Sequence, residues 1–574
     1  MRRRDWVCGP PPILSSRPRS VAGDFQVDRE TKIPELGGIS CLQRLDSLTT
    51  KRDWHRFPRP IVSDSQIHFM NHDDEIVRSE LGSISAVDYL TAIALTIVAV
   101  TLRFLFIEQP IRFDEALSYY LFYGDSLFQA THNYSTTNNH VLHSILCFFS
   151  IKMFGVHLWS IRLPAFIFGA ACVPVAYFIG ARFFQRLTGI VFALCIACNS
   201  FLVEFSTNAR GYSLLCLCSM LYVLLLPGFL RRNMLEGILF AGVTVIGAYT
   251  IAVMLFPTGG FLIAVFSIWL LHGERQQWRA NLKYLTAIGV AISLALLILY
   301  SPIIRHWRIR GLTSNATVAA QPSYSAFYQG LVWDCREFFN AIFRRTNWAN
   351  SLFLGVMTVW GTANLYRSNR RLLILIVSNV GFLLVFSLFK KIFPPGRAMI
   401  YLVSLLVLIS SLGMVSALGL LKVFHSRIAL LAYSGFIVFD LVTSEHILQS
   451  RETGTFPHQA GIIEMLKKDE AGFDGVLAAT PSDFPLLFST RNIAIGDKVF
   501  SANYHYDLWV NQLRRDFPPQ QVLYVVEDRS ALQDKARILE GFGITSDPDS
   551  STEYRIAPEL SLWKVRINRA SDDQ

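Results

Sequence analysis

Ten apolar runs stand out along the chain, separated by short polar connections: Tyr89–Ile107, Leu163–Ala181, Thr188–Phe205, Ser213–Leu230, Leu235–Leu271, Tyr284–Ile304, Ala349–Tyr366, Leu372–Phe389, Ala398–Leu421 and Ile428–Thr443. An α-helix needs about 20 such residues to cross a hydrocarbon core of about 30 Å. The block Leu235–Leu271 is too long for one crossing. A break near Pro257-Thr258-Gly259-Gly260, or slightly before it, makes eleven spans. Val141–Phe154 is shorter and carries His143 and Lys152, so it is predicted to be an interfacial helix on the outer face.

Positive charge orients these spans. With the N-terminus in the cytoplasm, alternate loops hold Arg182/Arg186, Arg231/Arg232, Arg275/Arg279/Lys283, Arg367/Arg370/Arg371 and Lys422/Arg427. Basic loops stay cytoplasmic, and an odd number of spans then puts the C-terminus outside. Residues 1–83 are polar and rich in Arg, Pro and Ser. They read as a disordered cytoplasmic tail, or as an over-long start with translation beginning at Met70. Residues 84–443 form the membrane domain. From 444 to 574 Asp, Glu, Lys, Asn and Pro return. Strands are predicted at Gly475–Ala479, Gln521–Val526 and Leu560–Val565, and helices at Ile462–Lys468 and Ala531–Gly541. The expected fold is therefore a polytopic α-helical membrane protein with a small extracytoplasmic α/β domain.

Composition agrees with that pattern. Hydrophobic residues make up 52% of the 574 positions and charged residues only 17%, against about 25% charged in soluble domains. That excludes a soluble enzyme throughout. The net charge of +10 fits cytoplasmic loops facing anionic lipid, and no zinc-finger or RNA-binding signature points to nucleic acid. Five of the nine cysteines, Cys172 to Cys218, lie inside apolar runs. Cys195-x-x-Cys198 is accordingly read as helix-packing filler, not a redox pair.

Candidate chemistry sits on the outer side. The first outer loop holds Arg112-Phe113-Asp114-Glu115-Ala116 directly after the first span. Asp114 is either the N-cap of a helix through Leu117–Phe122 or a general base for an attacking hydroxyl, with Glu115 as a neighbour that tunes it or binds a cation. The same loop continues to Asn138-Asn139-His140, whose amides and imidazole can donate to an anion at a helix start. Arg210 sits in a short outer turn, Arg305 opens the longest outer loop, and Arg397 follows Pro394-Pro395-Gly396. Each could anchor to headgroups. Several aimed at one face suggest a large anionic ligand, because a guanidinium bonds two phosphate oxygens at once. Carboxylate pair, cationic surface and apolar bundle together fit transfer from a lipid-linked phosphate donor.

The ordered motifs resemble those of the GT-C glycosyltransferases. They are most similar to the branch with protein O-mannosyltransferases, the lipid A aminoarabinose transferase and rhizobial lipopolysaccharide core transferases. Asp114-Glu115-Ala116 resembles the acidic motif. Asn139-His140 with Leu142 echoes Asn-His-Pro-Pro-Leu, although Val141 stands where the prolines begin. Ile161-Arg162-Leu163-Pro164 through Gly169 is similar to Arg-Leu-Pro-Ser-x-x-x-Gly. Asn208-Ala209-Arg210-Gly211-Tyr212 resembles Glu-Ala-Arg-x-Tyr with Asn208 in place of the acid, and Arg397 with Tyr401 resembles a late Arg-Tyr region.

The resemblance covers about residues 85–420. It implies an inverting transfer of one sugar from a polyprenyl-phosphate carrier to an acceptor hydroxyl on a cell-envelope glycan, lipid or protein. The site would be extracytoplasmic, in the plasma (inner) membrane. Asp114 would be the base. Glu115 would assist it or hold a divalent cation where members use one; no other cofactor is implied. Arg210, Arg397, Arg305, His140 and Asn139 would bind the donor phosphate, with Arg162, Tyr212 and Tyr401 in support. The competing class is a transporter or flippase of a lipid-linked or anionic substrate. That class usually shows internal repeats, and Pro227, Pro257 and Pro302 form none.

Overall fold

The computed structural model describes residues 84–136, 138–271, 277–313, 323–339, 348–392, 394–421, 423–443, 447, 454, 456, 458–469, 472–501, 521–528, 535–541 and 551–566. All lie within one compact unit, 60–574. The readings made for residues 1–83 fall outside the described residues.

The membrane part opens with α1 (Ala86–Phe104), α2 (Phe113–Ser118), a π-helical turn over Tyr119–Tyr123, α3 (Leu127–His132) and α4 (Val141–Phe154). Next come α5 (Leu158–Phe183), α6 (Arg186–Cys198), α7 (Ser200–Ser206) and α8 (Tyr212–Leu230). These are followed by α9 (Met234–Thr250), α10 (Leu255–Leu271), α11 (Trp278–Thr313) and α12 (Tyr324–Phe339). The part closes with α13 (Trp348–Ser368), α14 (Arg370–Lys390), α15 (Ile400–Leu418) and α16 (Val423–Thr443).

Every one of the eleven predicted spans is a helix, but they are not equal. Eight helices among the described residues are long and apolar enough to cross a membrane, and the bent pair α6–α7 makes nine. Of the other two, α9 has 17 residues. The second, α13, has 21 residues but carries Asn350, Asn364 and two tryptophans, and falls outside the eight. The block Leu235–Leu271 breaks at Ile251, earlier than its Pro-Thr-Gly-Gly stretch. Pro257 instead sits in the first turn of α10, where its missing N–H costs no helical bond. Helix α4 has the predicted bounds.

The core of the bundle is built from α5, α6, α8 and α15. Helix α15 is buried along nearly its whole length. It crosses α13 at Gly361 and Gly413, where an added Cβ would run into the facing backbone carbonyls of Ile409 and Met357.

The 61° bend between α6 and α7 leaves carbonyls without helical partners. Asn199 caps α7 by accepting from the Leu202 N–H at 3.0 Å. On the other side the fully buried Arg103 donates to the carbonyls of Ile196 and Ala197 at 3.3 and 3.2 Å, to Ala99 O at 3.3 Å and to Ser206 Oγ at 2.9 Å. Six cysteines, Cys147, Cys172, Cys195, Cys198, Cys216 and Cys218, are free thiols.

The C-terminal domain holds α17 (Gln459–Lys468), β1 (Gly475–Ala478), α18 (Asp483–Thr490), β2 (Val499–Ser501), β3 (Val522–Asp528), α19 (Lys535–Gly541), β4 (Thr552–Ala557) and β5 (Leu560–Arg566). The strand order is β2-β1-β3-β5-β4, parallel on the β2–β1–β3 side and antiparallel across β5. All three predicted strands and both predicted helices are present. The short edge strands β2 and β4, and α18, were not anticipated.

Candidate functional site

The segment after α1 passes through a turn at 105–108 and starts the six-residue α2. Its N-cap residue is Arg112, and the cap bond comes from Glu115, whose Oε2 accepts the Arg112 N–H at 3.0 Å. Capping therefore falls to Glu115, not Asp114.

Glu115 is fully buried. Its Oε1 accepts from Arg162 Nε at 2.8 Å and from the Ala209 N–H at 2.7 Å; its Oε2 accepts from Arg162 Nη2 at 2.7 Å. Burial alone would push this carboxyl up. Arg162 in particular, then Arg112 and the Ala209 N–H, outweigh it and hold the group below its ordinary value. Arg162 spends its remaining donors on the carbonyls of Ile107, Gln109 and Pro110. A second buried pair, Arg112 Nη1–Glu204 Oε1 at 2.8 Å, braces the same turn. Arg112 Nη2 also donates to Gln109 Oε1 at 2.9 Å.

Asp114 points the other way and keeps 8% of its surface exposed. Its Oδ1 accepts from Asn138 Nδ2 at 3.0 Å, and its Oδ2 from Arg397 Nη1 at 3.0 Å. Arg210 Nη2 lies 3.9 Å from Oδ2 and donates to Asn138 Oδ1 at 3.1 Å. Burial raises the Asp114 carboxyl, but Arg210, Arg397, the Asn138 bond and Arg112 together hold it ionised, below its ordinary value. Arg210 is 2% exposed, lies over the Tyr212 ring, and has no hydrogen-bond partner for its Nε. Arg397 reaches the site from a 3-10 turn, Gly396–Met399, that the extended Pro395 leads into. Asp114, Arg210 and Arg397, from three separate connections between helices, thus meet at one point.

Several predicted ligands have other work. Asn139 donates to the carbonyls of Ala130 and Asn133 and accepts from Ser144, so it ties the loop to α4; Asn138 is the amide on Asp114. His140 accepts the Gly211 N–H on Nδ1 at 2.8 Å and packs edge-on against Tyr212, fixing the turn that carries Arg210. Burial first, then Arg210, depresses the His140 ring well below its ordinary value, so it stays neutral and adds no charge for a phosphate. Arg305 is exposed on α11 and takes no part in the ion pairs of Asp114 or Glu115 with described residues. Tyr401 is buried on α15 with no hydrogen-bond partner for its hydroxyl. Gln109 and Glu204 were passed over in the sequence because nothing there separates them from ordinary loop and helix polar residues, and Asn138 was named only with Asn139 as a donor to an anion, not as the partner of Asp114.

The cation-holding role predicted for Glu115 is not supported by its surroundings. Its oxygens already take four donors, two of them from a guanidinium. Asp114 is flanked by two more guanidiniums, which repel a dication. No group of three His, Cys, Asp or Glu side chains among the described residues could hold a metal ion. The residues present do not fit a divalent cation.

The chain is similar to known proteins. Residues 141–301 match the family described as dolichyl-phosphate-mannose-protein mannosyltransferase. The crystal structure of ArnT from Cupriavidus metallidurans in the apo state superposes with a TM-score of 0.51 at 11% identity, covering 84% of this chain and 98% of ArnT. The fold is the GT-C fold. The GT-C enzyme ArnT bound to undecaprenyl phosphate gives 0.49 at 11% identity, over 85% of this chain and 99% of that one. A third GT-C structure is the archaeal oligosaccharyltransferase AglB from Archaeoglobus fulgidus, in complex with an inhibitory peptide and a dolichol-phosphate. It gives 0.45 at 12% identity, over 82% and 74%. No curated protein matches the chain. The family match begins at α4, after the acidic pair, and includes Arg162 and Arg210.

Proposed function

We propose that the chain is a glycosyltransferase that moves one sugar from a polyprenyl-phosphate donor to an acceptor hydroxyl on the extracytoplasmic side of the plasma membrane. The observation that carries this reading is Asp114 set between Arg210 and Arg397 at 8% exposure. The acceptor oxygen attacks the anomeric carbon, and the bond from that carbon to the phosphate oxygen breaks. Polyprenyl phosphate leaves with the electron pair, and the acceptor proton passes to the Asp114 carboxylate. One displacement inverts the anomeric centre.

Two guanidiniums suit the negative charge that grows on the leaving phosphate. Without donor they rest on Asp114 and weaken it as a base. An arriving phosphate competes for both, which unloads the carboxylate when the acceptor needs it. No step is routed through a metal.

The orientation has independent support. The C-terminal domain packs on the loop that carries Asp114, so the two share one side. Ten crossings separate them if all eleven helices span, an even number as that contact requires. Basic loops at the opposite ends support an outer position for the shared side.

Purified protein with a labelled polyprenyl-phosphate sugar and an envelope glycan, lipid or peptide acceptor tests the reading. Parent protein forms a new glycosidic bond. Asp114→Asn stays folded and inserted and loses about 10²–10⁴-fold in rate. Near-parent turnover in Asp114→Asn removes the base role. Movement of intact lipid-linked sugar across the bilayer without bond formation replaces the transferase with a flippase.

A further inference from the structure

Six residues make α2, too few for a helix to hold itself in water. Glu115 pins its inner face. Its outer face is pinned by the C-terminal domain. The Phe113 ring meets Phe484 edge-on at 5.7 Å, and Tyr119, in the π-helical turn, meets Phe488 at 5.1 Å. Tyr120 tilts against Phe484 at 6.1 Å. Phe488 is 1% exposed.

Backbone bonds add to these contacts. The Phe113 N–H donates to Gly454 O at 2.9 Å, and Arg112 Nη2 donates to Ile447 O at 2.6 Å. Arg491 lies over the Phe488 ring at 3.9 Å and donates to Val156 O at 2.6 Å, just before α5, the helix that carries Arg162. Arg112 and Phe113 before Asp114, and Tyr119 and Tyr120 after it, are thus bound by the C-terminal domain. Asp114 itself, about 100° further round the helix than Phe113, faces Asn138 and Arg397.

We propose that Phe484 and Phe488 of α18 are positioning residues for Asp114. They touch no reacting atom. They fix the angle at which α2 presents the carboxylate to Arg210 and Arg397. The inference rests on Asp114 as the base, since a displacement near 1 Å at a reacting group costs about a hundredfold in rate. It gives the C-terminal domain a role in turnover.

The test uses full-length protein in nanodiscs with Phe488→Ala, Phe484→Ala, and Phe488→Leu, which keeps an apolar side chain but loses the ring edge. Gly454→Ala is a fourth variant, because Gly454 has φ +66° and an added Cβ would lie 2.8 Å from the Phe113 Cβ. Lys468→Ala, on an exposed edge of the same domain, is the control. Expected are a kcat at least about tenfold lower, a donor KM within about twofold of parent, and faster amide exchange over 113–123 with no change in α15. Phe488→Leu should lie between Phe488→Ala and parent.

Parent-like kcat, or unchanged exchange over 113–123, overturns the proposal. So does a loss confined to acceptor KM, which would make the domain an acceptor-binding surface. Asp114→Asn is run alongside. If it keeps turnover the base reading fails, and the exchange measurement alone then decides whether α18 orders the segment.

Discussion

Glu115 and Asp114 are adjacent, yet their removal should have opposite signatures. Glu115→Ala strips the carboxylate from Arg162, a guanidinium with no exposed surface whose other acceptors are carbonyls. Removing one partner of a buried pair costs about 3–5 kcal/mol, because the other charge is left desolvated and uncompensated. The Ala209 and Arg112 N–H groups lose an acceptor as well. Such a loss is a large fraction of a typical stability of about 5–15 kcal/mol. Heating the detergent-purified protein in steps and measuring what stays monodisperse reads it as a shortened half-life, the appropriate quantity where unfolding is irreversible. The double change Glu115→Ala/Arg162→Leu should recover part of the loss, since no unpaired charge remains, though three carbonyls stay without their donor. The parent should also weaken in acid. Glu115 is held below its ordinary 4.5, so its contribution is full above that value and disappears as pH falls through the lower folded value. If Glu115→Ala is as robust as parent but inactive, Glu115 is a chemical group and the anchoring argument is wrong.

Arg210→Ala and Arg397→Ala should each weaken donor use about tenfold or more, with only partial rescue by Lys, because a charged hydrogen bond is worth about 1.5–3 kcal/mol and a point charge lacks the fork. Arg305→Ala should stay near parent in the same donor titration, and a matching loss there would return Arg305 to the site. Asp114 is held ionised below the ordinary 3.8, so the acid limb of kcat/KM for the donor-free enzyme should fall below that pH. Arg397→Ala, which removes one of the charges lowering it, should move that limb upward. Turnover should survive EDTA, since the site residues do not fit a dication; loss restored by added metal would overturn that.

The spans were legible because bilayer thickness imposes a length and the backbone must bond to itself in lipid, which leaves long apolar runs with few disguises. The break at Ile251 was not, because it depends on how α9 and α10 meet and not on the nearby Pro-Thr-Gly-Gly. At the site, Asp114, Arg210 and Arg397 could be named from their place outside the membrane. The difference between Asn138 and Asn139 could not, since both are amides at the start of one helix and only the turn decides which faces Asp114. The anchoring role of Glu115 was hidden for the same reason. Its partners Arg162 and the Ala209 N–H lie 47 and 94 residues away, a separation no local pattern encodes. α18 was not anticipated because it is only eight residues long and its apolar side chains serve an interface between domains, so no long periodic pattern marks it.

Arg103 bears on how the chain is assembled. It rides in the last turn of the first span, yet its acceptors Ile196, Ala197 and Ser206 are made 93, 94 and 103 residues later. While those residues are still being synthesised, α1 offers that guanidinium only its own Ala99 carbonyl. Its place in the last turn of the span lets the side chain reach the headgroups in the meantime. The kink that leaves those carbonyls open thus also joins the first span to residues translated roughly a hundred positions afterwards.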